Sequence, residues 1–518
     1  MLAAIKCRDD GKHFVPDTIY PWRDIGRYEQ GVRAVFFRLA VQFTAILCLL
    51  VGAARAAVQR PNVIVILADD LGWTDLACFD SDLHETPHLD RLARGAMKFT
   101  QNYSACTVCS PTRAALLTGK SPARLHITDW IPGAMPDNPK LLVPDWTKFL
   151  PHSETTLAEV FKSNGYATAS IGKWHLGTEQ FYPQRHGFDV NIAGTDKPQP
   201  PTYFAPWKIP TLTEGRDGDY ITDRLGEEAV KFIEQTKDKP FFLYLPHFAV
   251  HTPIQGRADL VEKYQRKLKP GLRHNNAQYA AMVEGLDAAV GRVIAKLDEL
   301  KLANRTIVIF TSDNGGRITQ GTTTNAPLRY GKASAYEGGV RVPLIVHWPN
   351  VTRPGSVSAT PVITMDLFPT LLEMAGLSVP NSPSETGAAG RDGVSLVPLL
   401  RQSGELRRTE LFWHYPHHQH YQLGGTMPYA AIRSGDFKLI EFFNDMHAEL
   451  YNIREDIGEQ RDLAATMPKK VEELRDHLHE WHQEVGAQLP TPNPQYDPNK
   501  PEYNPPPPPP KATKKVMK

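Results

Sequence analysis

Net charge, long apolar runs, internal repeats and paired cysteines are all scarce in this 518-residue chain. Lys and Arg number 58 against 57 Asp and Glu, a formal net charge of +1. Without a concentrated basic patch, nucleic acid is not an expected partner, and any anion the protein binds must be met by a local site. The longest uninterrupted apolar run, residues 45–54, is too short to span a bilayer, so no stable membrane span is expected in the mature chain. No internal repeat is evident. Of the five cysteines, Cys106 and Cys109 form a single C-x-x-C; a second such pair is absent, which argues against a structural zinc site of that type.

The N-terminus reads as an export signal. Arg33 and Arg38 precede an apolar stretch at 39–52, and the small residues Ala53, Ala54, Ala56 and Ala57 follow. A basic segment, a short apolar segment and an A-x-A site predict cleavage near Ala56 and a secreted or periplasmic protein. Residues 1–56 are thus expected to be an extension plus signal peptide, with a retained anchor as the competing reading. Cys7 and Cys48 leave with them. The mature chain keeps Cys78, Cys106 and Cys109, an odd number for an oxidising compartment. One thiol is spare and needs a role.

Residues 62–68 (NVIVILA) form the short, β-branched apolar run that a strand buried on both faces requires. Similar runs at 167–171, 241–245, 307–311 and 344–347 alternate with helical periodicity at 155–164, 220–235, 279–300 and 365–375. A further helix is expected from Pro87, with Thr86 as its N-cap. The alternation predicts an α/β domain over residues 57–400, a layered sheet flanked by helices with its chemistry at the strand ends. Beyond 400 the pattern changes. Two strands around the Ser434-Gly435-Asp436 turn, a third at 449–453 and a helix at 468–484 predict a small C-terminal antiparallel β-sheet plus helix subdomain over 401–489. Residues 490–518, with six consecutive prolines at 505–510, are expected to be an extended or disordered tail.

The densest chemical signal is Cys109-Ser110-Pro111-Thr112-Arg113, continued by Ala114-Ala115-Leu116-Leu117-Thr118-Gly119. A redox pair with Cys106 is the plain alternative, but Pro111-Thr112-Arg113 has no role in one. A second segment runs from Gly165-Tyr166-Ala167-Thr168 to Gly172-Lys173-Trp174-His175, where a strand gives way to a polar loop. Asp69-Asp70 and Asp313-Asn314 end two further strands. Over about residues 60 to 485 these segments resemble, in order, the type I sulfatases of arylsulfatase type in the alkaline phosphatase superfamily. That family's signature is C-x-P-S/T-R, then two residues, an apolar pair and T-G. An alkaline-phosphatase-like layered core is the fold the resemblance implies.

The resemblance also implies that a formylglycine-generating or equivalent maturation enzyme oxidises Cys109 to an aldehyde, formylglycine. Hydrated, the aldehyde is a geminal diol. One hydroxyl attacks sulfur, and loss of the other's proton lets the sulfated intermediate collapse and release sulfate, which splits one hard step into two. One divalent metal is implied, Ca2+ or alternatively Mg2+, held by Asp69, Asp70, Asp313, Asn314 and the modified Cys109; oxygen donors suit such hard cations. By the same carry-over Arg113 orients the nucleophile, Lys173 contacts sulfate and nucleophile, and His175 helps handle the nucleophile. Lys332 binds sulfate, and His251 gives a proton to the departing alcohol. A divalent cation with three aspartates, two lysines and an arginine nets positive charge, which suits an anionic substrate. Thr107 and Thr112 depart slightly from the family pattern, and neither removes a catalytic group.

The expected function is therefore a sulfuric ester hydrolase acting on a sulfated small molecule or glycan. A phosphonate monoester or phosphodiester hydrolase of the same superfamily, and a non-catalytic secreted binder of sulfated glycans, remain as alternatives. The literal H-E-x-x-H at His84-Glu85-Thr86-Pro87-His88 is set aside, because Pro87 would break the helix a zinc protease needs. Substrate choice is expected near 194–206 or around His414, Tyr415, His417, His418, His420 and Tyr421, which read equally as a solvated loop. His247 is the weaker neighbour of His251.

Overall fold

In the computed structural model, which describes residues 60–378, 390–419 and 427–502, the run NVIVILA becomes β1 (Asn62–Ala68) with every residue buried. The expected signal peptide, His420, Tyr421 and the proline run lie outside the described residues. Along β1, Ile64, Ile66 and Ala68 enter one apolar cluster, whereas Val63, Val65 and Leu67 enter another. Side chains alternate along a strand, so a strand covered on both faces must be apolar throughout. Seven more strands complete the sheet: β2 (Met97–Phe99), β3 (Ala167–Ile171), β4 (Val190–Ile192), β5 (Phe241–Pro246), β6 (Thr306–Ser312), β7 (Leu344–His347) and β8 (Ser356–Ser358). Their order is β8-β2-β7-β6-β1-β5-β3-β4. Only β7 runs against its neighbours, β6 and β2.

The main helices are α1 (Pro87–Arg94), α2 (Cys109–Thr118), α3 (Leu157–Ser163), α4 (Ile221–Thr236), α5 (Ala258–Lys267), α6 (Ala277–Glu299) and α7 (Leu367–Met374). Phe232 of α4 and Met282 of α6 pack on the Ile64 face, while Leu116 of α2, Phe161 of α3 and Phe368 of α7 cover the Val63 face. The expected layered α/β core is present. One cap differs from expectation. Thr86 precedes α1, but its hydroxyl accepts from the Ala77 amide at 2.9 Å and donates to Asp90 at 3.0 Å. The Asp287 carboxylate of α6 takes the His88 and Leu89 amides instead, at 3.1 and 2.7 Å. A charged acceptor satisfies two orphan amides where a hydroxyl would satisfy one.

The C-terminal sheet comprises β9 (Glu410–Tyr415), β10 (Tyr429–Ser434), β11 (Phe437–Phe442) and β12 (Ala448–Asn452), antiparallel in that order. On one face, Leu474 and Leu478 of α8 (Pro468–Val485) meet Ile432 and Leu439. On the other, Trp413, Tyr429 and Ile440 share a cluster with Tyr103, Val108 and Ala115. The boundary expected at residue 400 is thus a change of element type within a single compact unit that begins at Arg60. Within the stretch expected as an extended or disordered tail, residues 490–502 find partners. Thr491–Pro492 pair with Leu141–Leu142, and Asn138 Nδ2 donates to the carbonyls of Asp497 and Lys500 at 2.8 and 3.0 Å. Proline-rich backbone lacks internal partners, and here it finds them on a neighbouring segment.

A buried ionic knot ties the C-terminal sheet to the connection between β6 and β7. Lys438 Nζ lies 3.1 Å from Glu337 and 3.0 Å from Glu459, all three without exposure. Tyr103 Oη donates to Glu337 at 2.8 Å. Lys438→Ala is expected to cost about 3–5 kcal/mol, because it strands two buried carboxylates without their cation. Denaturant unfolding measures this, and an unchanged midpoint would show that the knot does not stabilise the fold.

Candidate active site

Strand direction decides where the polar residues gather. β1, β3, β5 and β6 run parallel, so the segments that leave their C-terminal ends meet on one edge of the sheet. Asp69 and Asp70 follow β1, Lys173 and His175 follow β3, His251 follows β5, and Asp313 and Asn314 follow β6. Val108 is extended and α2 begins at Cys109, with Arg113 one turn further on the same face. Lys332 arrives on the long connection between β6 and β7. Gly172 (φ 126°) makes the turn after β3 possible: a Cβ there would lie 1.9 Å from the Pro246 carbonyl oxygen, so no other residue lets β3 end against β5. Asp70 and His175 also take left-handed backbone, φ 61° and 60°. Amide bonds to Asp313 Oδ1 (3.1 Å) and the Thr195 carbonyl (2.9 Å) hold them there.

The side chains converge. Cys109 Sγ lies 3.5 Å from Asp69 Oδ1 and 3.5 Å from Lys332 Nζ. Lys332 donates to Asp70 Oδ1 at 2.7 Å, and Lys173 to Asp69 Oδ2 at 2.7 Å. Arg113 forks onto Asp313 Oδ2 at 3.0 and 2.7 Å and gives a third bond to the Lys173 carbonyl at 3.0 Å. His251 Nε2 is 3.6 Å from Asp70 Oδ2. Every one of these residues is buried.

Burial sets the protonation states. It pushes the Asp69 carboxyl up to about 7, against the pull of Lys173 and Arg113 and with the help of neighbouring aspartates. At Asp70 burial acts the same way but is outweighed by Lys332 and His251, which hold the carboxyl well below the usual range. Burial pushes the Cys109 thiol up to about 12 despite both lysines, so the unmodified side chain is protonated at neutral pH. His175 and His251 are driven well below the ordinary imidazole value, first by burial and then by Lys173 and Lys332 respectively. Both rings are neutral.

The cluster could hold a metal ion. Ligand atoms of Asp69, Asp70, Cys109 and His251 all lie within 4.8 Å of one another. Asn314 donates its amide to Asp70 Oδ1 at 2.8 Å, while its own Oδ1 is buried without a hydrogen-bond partner. Such an orphaned acceptor costs about 1–3 kcal/mol unless a cation takes it. Asp313 is the most engaged of the expected ligands, with Asp70 N on one oxygen and Arg113 on the other.

A cavity of about 730 Å³ opens on Cys109, His175, His251 and Lys332. Thr195 to Pro201 line it, from the segment where substrate choice was expected. Trp130, Tyr182, Lys208 and Arg317 also line it, and no motif announced them because they come from four separate stretches of chain. His414, His417 and His418 take no part in its wall and are not a solvated loop. They are buried, His417 Nε2 lying 2.8 Å from Thr128 Oγ1 and His418 Nε2 3.0 Å from the Leu141 carbonyl. His247 is buried with neither ring nitrogen hydrogen-bonded, and it stays out of the cavity.

Residues 61–377 match the family model described as Sulfatase, and residues 329–488 match that of N-sulphoglucosamine sulphohydrolase, C-terminal. A protein named Sulfatase from Formosa agariphila is 34% identical over 493 residues, which covers 80% of this chain and 86% of that one. N-acetylgalactosamine-6-sulfatase of Sus scrofa is 34% identical over 410 residues, 74% of this chain and 72% of that one. Among solved structures, Ps i-CgsB in complex with k-i-k-neocarrahexaose has a TM-score of 0.68 at 29% identity and covers 82% of this chain and 93% of its own. The Sulfatase match runs unbroken through every segment that meets at this strand edge, from Asp69 to Lys332, and the chain belongs to the sulfatase family: it is a sulfuric ester hydrolase on an alkaline-phosphatase-like core.

Proposed function

We propose that this protein cleaves sulfate monoesters of carbohydrates, using a nucleophile made from Cys109 and one oxygen-liganded divalent cation, Ca2+ or alternatively Mg2+. The setting of Cys109 carries the proposal: a buried, protonated thiol 3.5 Å from an ammonium, at a cavity wall and beside an orphaned acceptor. As a thiol it is a poor nucleophile. Oxidised to formylglycine and hydrated, the same carbon would offer one hydroxyl to attack sulfur and a second whose deprotonation lets sulfate go. The cation would neutralise the crowded carboxylates and polarise a sulfate oxygen.

The chain's own residues supply the rest. Lys173 and Lys332 set two ammonium groups beside position 109; each unit charge pair near 4 Å is worth about 4 kcal/mol at an effective dielectric of roughly 20. Both are held by aspartates before substrate arrives, so little reorganisation is left for the reaction. Arg113 spends its bonds on Asp313 and the Lys173 carbonyl, which makes it a positioning residue. His175 donates Nε2–H to the Ile131 carbonyl at 2.5 Å, which leaves Nδ1, buried and unpartnered, to accept a proton from a hydroxyl at position 109. His251 donates Nδ1–H to the Thr252 carbonyl at 3.0 Å, so Nε2 of the neutral ring is bare. It would first take up a proton there, favoured by the negative charge of a bound sulfate, and then give it to the leaving alcohol.

A carbohydrate substrate is supported by the relatives that act on sulfated sugars and by a cavity whose size suits a small glycan. Trp130 and Tyr182 can stack on a sugar ring, and Lys197 and Lys208 can meet a further anion. Export is supported by the basic, apolar and small-residue pattern at 33–57, and among the described residues no helix is long and apolar enough to cross a membrane.

Cys109→Ala is expected to lower kcat for a sulfate ester by roughly 10³-fold or more while leaving the unfolding midpoint unchanged. In the wild type, the peptide holding Cys109 should have the mass of an aldehyde in place of the thiol. Near-normal turnover in the variant, or full activity with an intact thiol, would end the covalent proposal. Stripping divalent cations should abolish turnover, with Ca2+ or Mg2+ restoring it. Restoration by Zn2+ alone would contradict the oxygen-liganded reading. Faster cleavage of a phosphodiester than of the matching sulfate ester would replace the reaction class, and a metal-loaded, aldehyde-bearing protein inert to a broad sulfate panel would indicate a binder.

A further inference from the structure

A second buried group of metal-binding side chains lies behind the loop that carries Asp70, and the proposed reaction uses none of it. We infer that Asp75, His84 and His274 form a separate site for a zinc-type dication that pins this loop to the start of α6.

The three residues come from separate segments. Asp75 sits five positions after Asp70, His84 is the first histidine of the H-e-x-x-H segment, and His274 precedes α6. Their ligand atoms all lie within 4.8 Å of one another. Side-chain exposure is 0% for Asp75 and 1% for each histidine.

The hydrogen bonds define what each atom has left to give. His274 Nδ1 is 2.6 Å from Asp82 Oδ1, an acceptor, so that nitrogen carries the proton. Its Nε2 is buried, has no hydrogen-bond partner and lies 3.3 Å from Asp75 Oδ1. With Nδ1 protonated toward Asp82, that contact is favourable only if Nε2 bears a cation, either a proton, which makes His274 an imidazolium between two carboxylates, or a metal ion. Two donors bound about 2.0–2.1 Å from a tetrahedral ion are separated by about 3.3 Å, the spacing seen here. Asp82–His274–ion is the relay by which a carboxylate fixes the tautomer of a liganding imidazole. His84, its ring centroid 4.6 Å from that of His274, offers a second imidazole; its Nδ1 donates to the Asp75 carbonyl at 2.9 Å, so Nε2 is the nitrogen that would ligate. Two imidazoles and one carboxylate, with water in a fourth position, suit zinc or a similar borderline ion and do not suit calcium.

The site would act on the active site through position. Asp75 Oδ2 accepts from the Gly72 amide at 2.7 Å and from Tyr279 Oη at 2.6 Å, and the same hydroxyl is 3.3 Å from the Asp70 carbonyl. An ion on Asp75 would therefore brace the turn that aims Asp70. It is independent of the oxygen-rich cluster at Cys109, which prefers a harder cation.

The test uses purified full-length Cys109→Ala protein, in which the catalytic thiol is gone. After chelation, titration with CoCl2 should give one equivalent bound with the visible absorption of tetrahedral, nitrogen-liganded Co2+, and ZnCl2 should bleach it. Thermal unfolding of the stripped protein should shift upward with ZnCl2 and not with CaCl2. Adding His274→Gln should remove both the band and the shift. The inference is overturned if no equivalent binds, which would leave His274 as an imidazolium between Asp75 and Asp82. It is equally overturned if band and shift survive His274→Gln.

Discussion

Three aspartates buried at one edge of a sheet cannot keep their charge without cations, and most of this molecule is arranged to meet that demand. Removing a carboxylate from water costs several kcal/mol unless it is paired and hydrogen-bonded. Asp69, Asp70 and Asp313 are answered by Lys173, Lys332 and Arg113, each at 2.7 Å. The match is incomplete. Asp69 remains pushed up to about 7, and Asn314 Oδ1 has no partner. Both belong to a cluster that could hold a metal ion, with Cys109 inside it and Lys332 3.5 Å from its sulfur.

The fold makes this arrangement rigid. Parallel strands deliver four of the charged segments to one edge, and helices on both faces keep water away. The fifth segment, α2, is held between the core and the C-terminal sheet, since Val108 and Ala115 pack with Trp413 and Tyr429. The C-terminal sheet therefore supports the helix that begins at Cys109, and it is tied to the connection between β6 and β7 by the buried Lys438–Glu337 pair. A change far from the cavity can in this way reach position 109.

Much of the architecture was legible from residue pattern. β1 and β7 carry nearly continuous apolar runs because both faces are covered, and the bounds of β1, β3 and β7 match the expectation. β2 and β8 were not legible: three residues each at the far side of the sheet leave too short a pattern. α2 was legible only as a motif, since all ten of its residues are buried and no polar face marks the helical period. The Thr86 cap failed for a different reason. The competing acceptor, Asp287, lies 198 positions from Leu89, beyond the reach of any local rule.

By itself the sequence determined which chemical groups exist and which strand end carries each, because strands and their exits are local properties of the chain. Tertiary structure decided the states of those groups. Whether Cys109 is a thiol, which nitrogen of His175 bears its proton, and whether Asp313 faces an arginine all depend on partners brought in from distant segments. Lys332 and Asp70 are 262 positions apart, yet Lys332 helps to hold the Asp70 carboxyl below its usual range. Protonation and tautomer follow from distance and dielectric, and only the folded chain defines either.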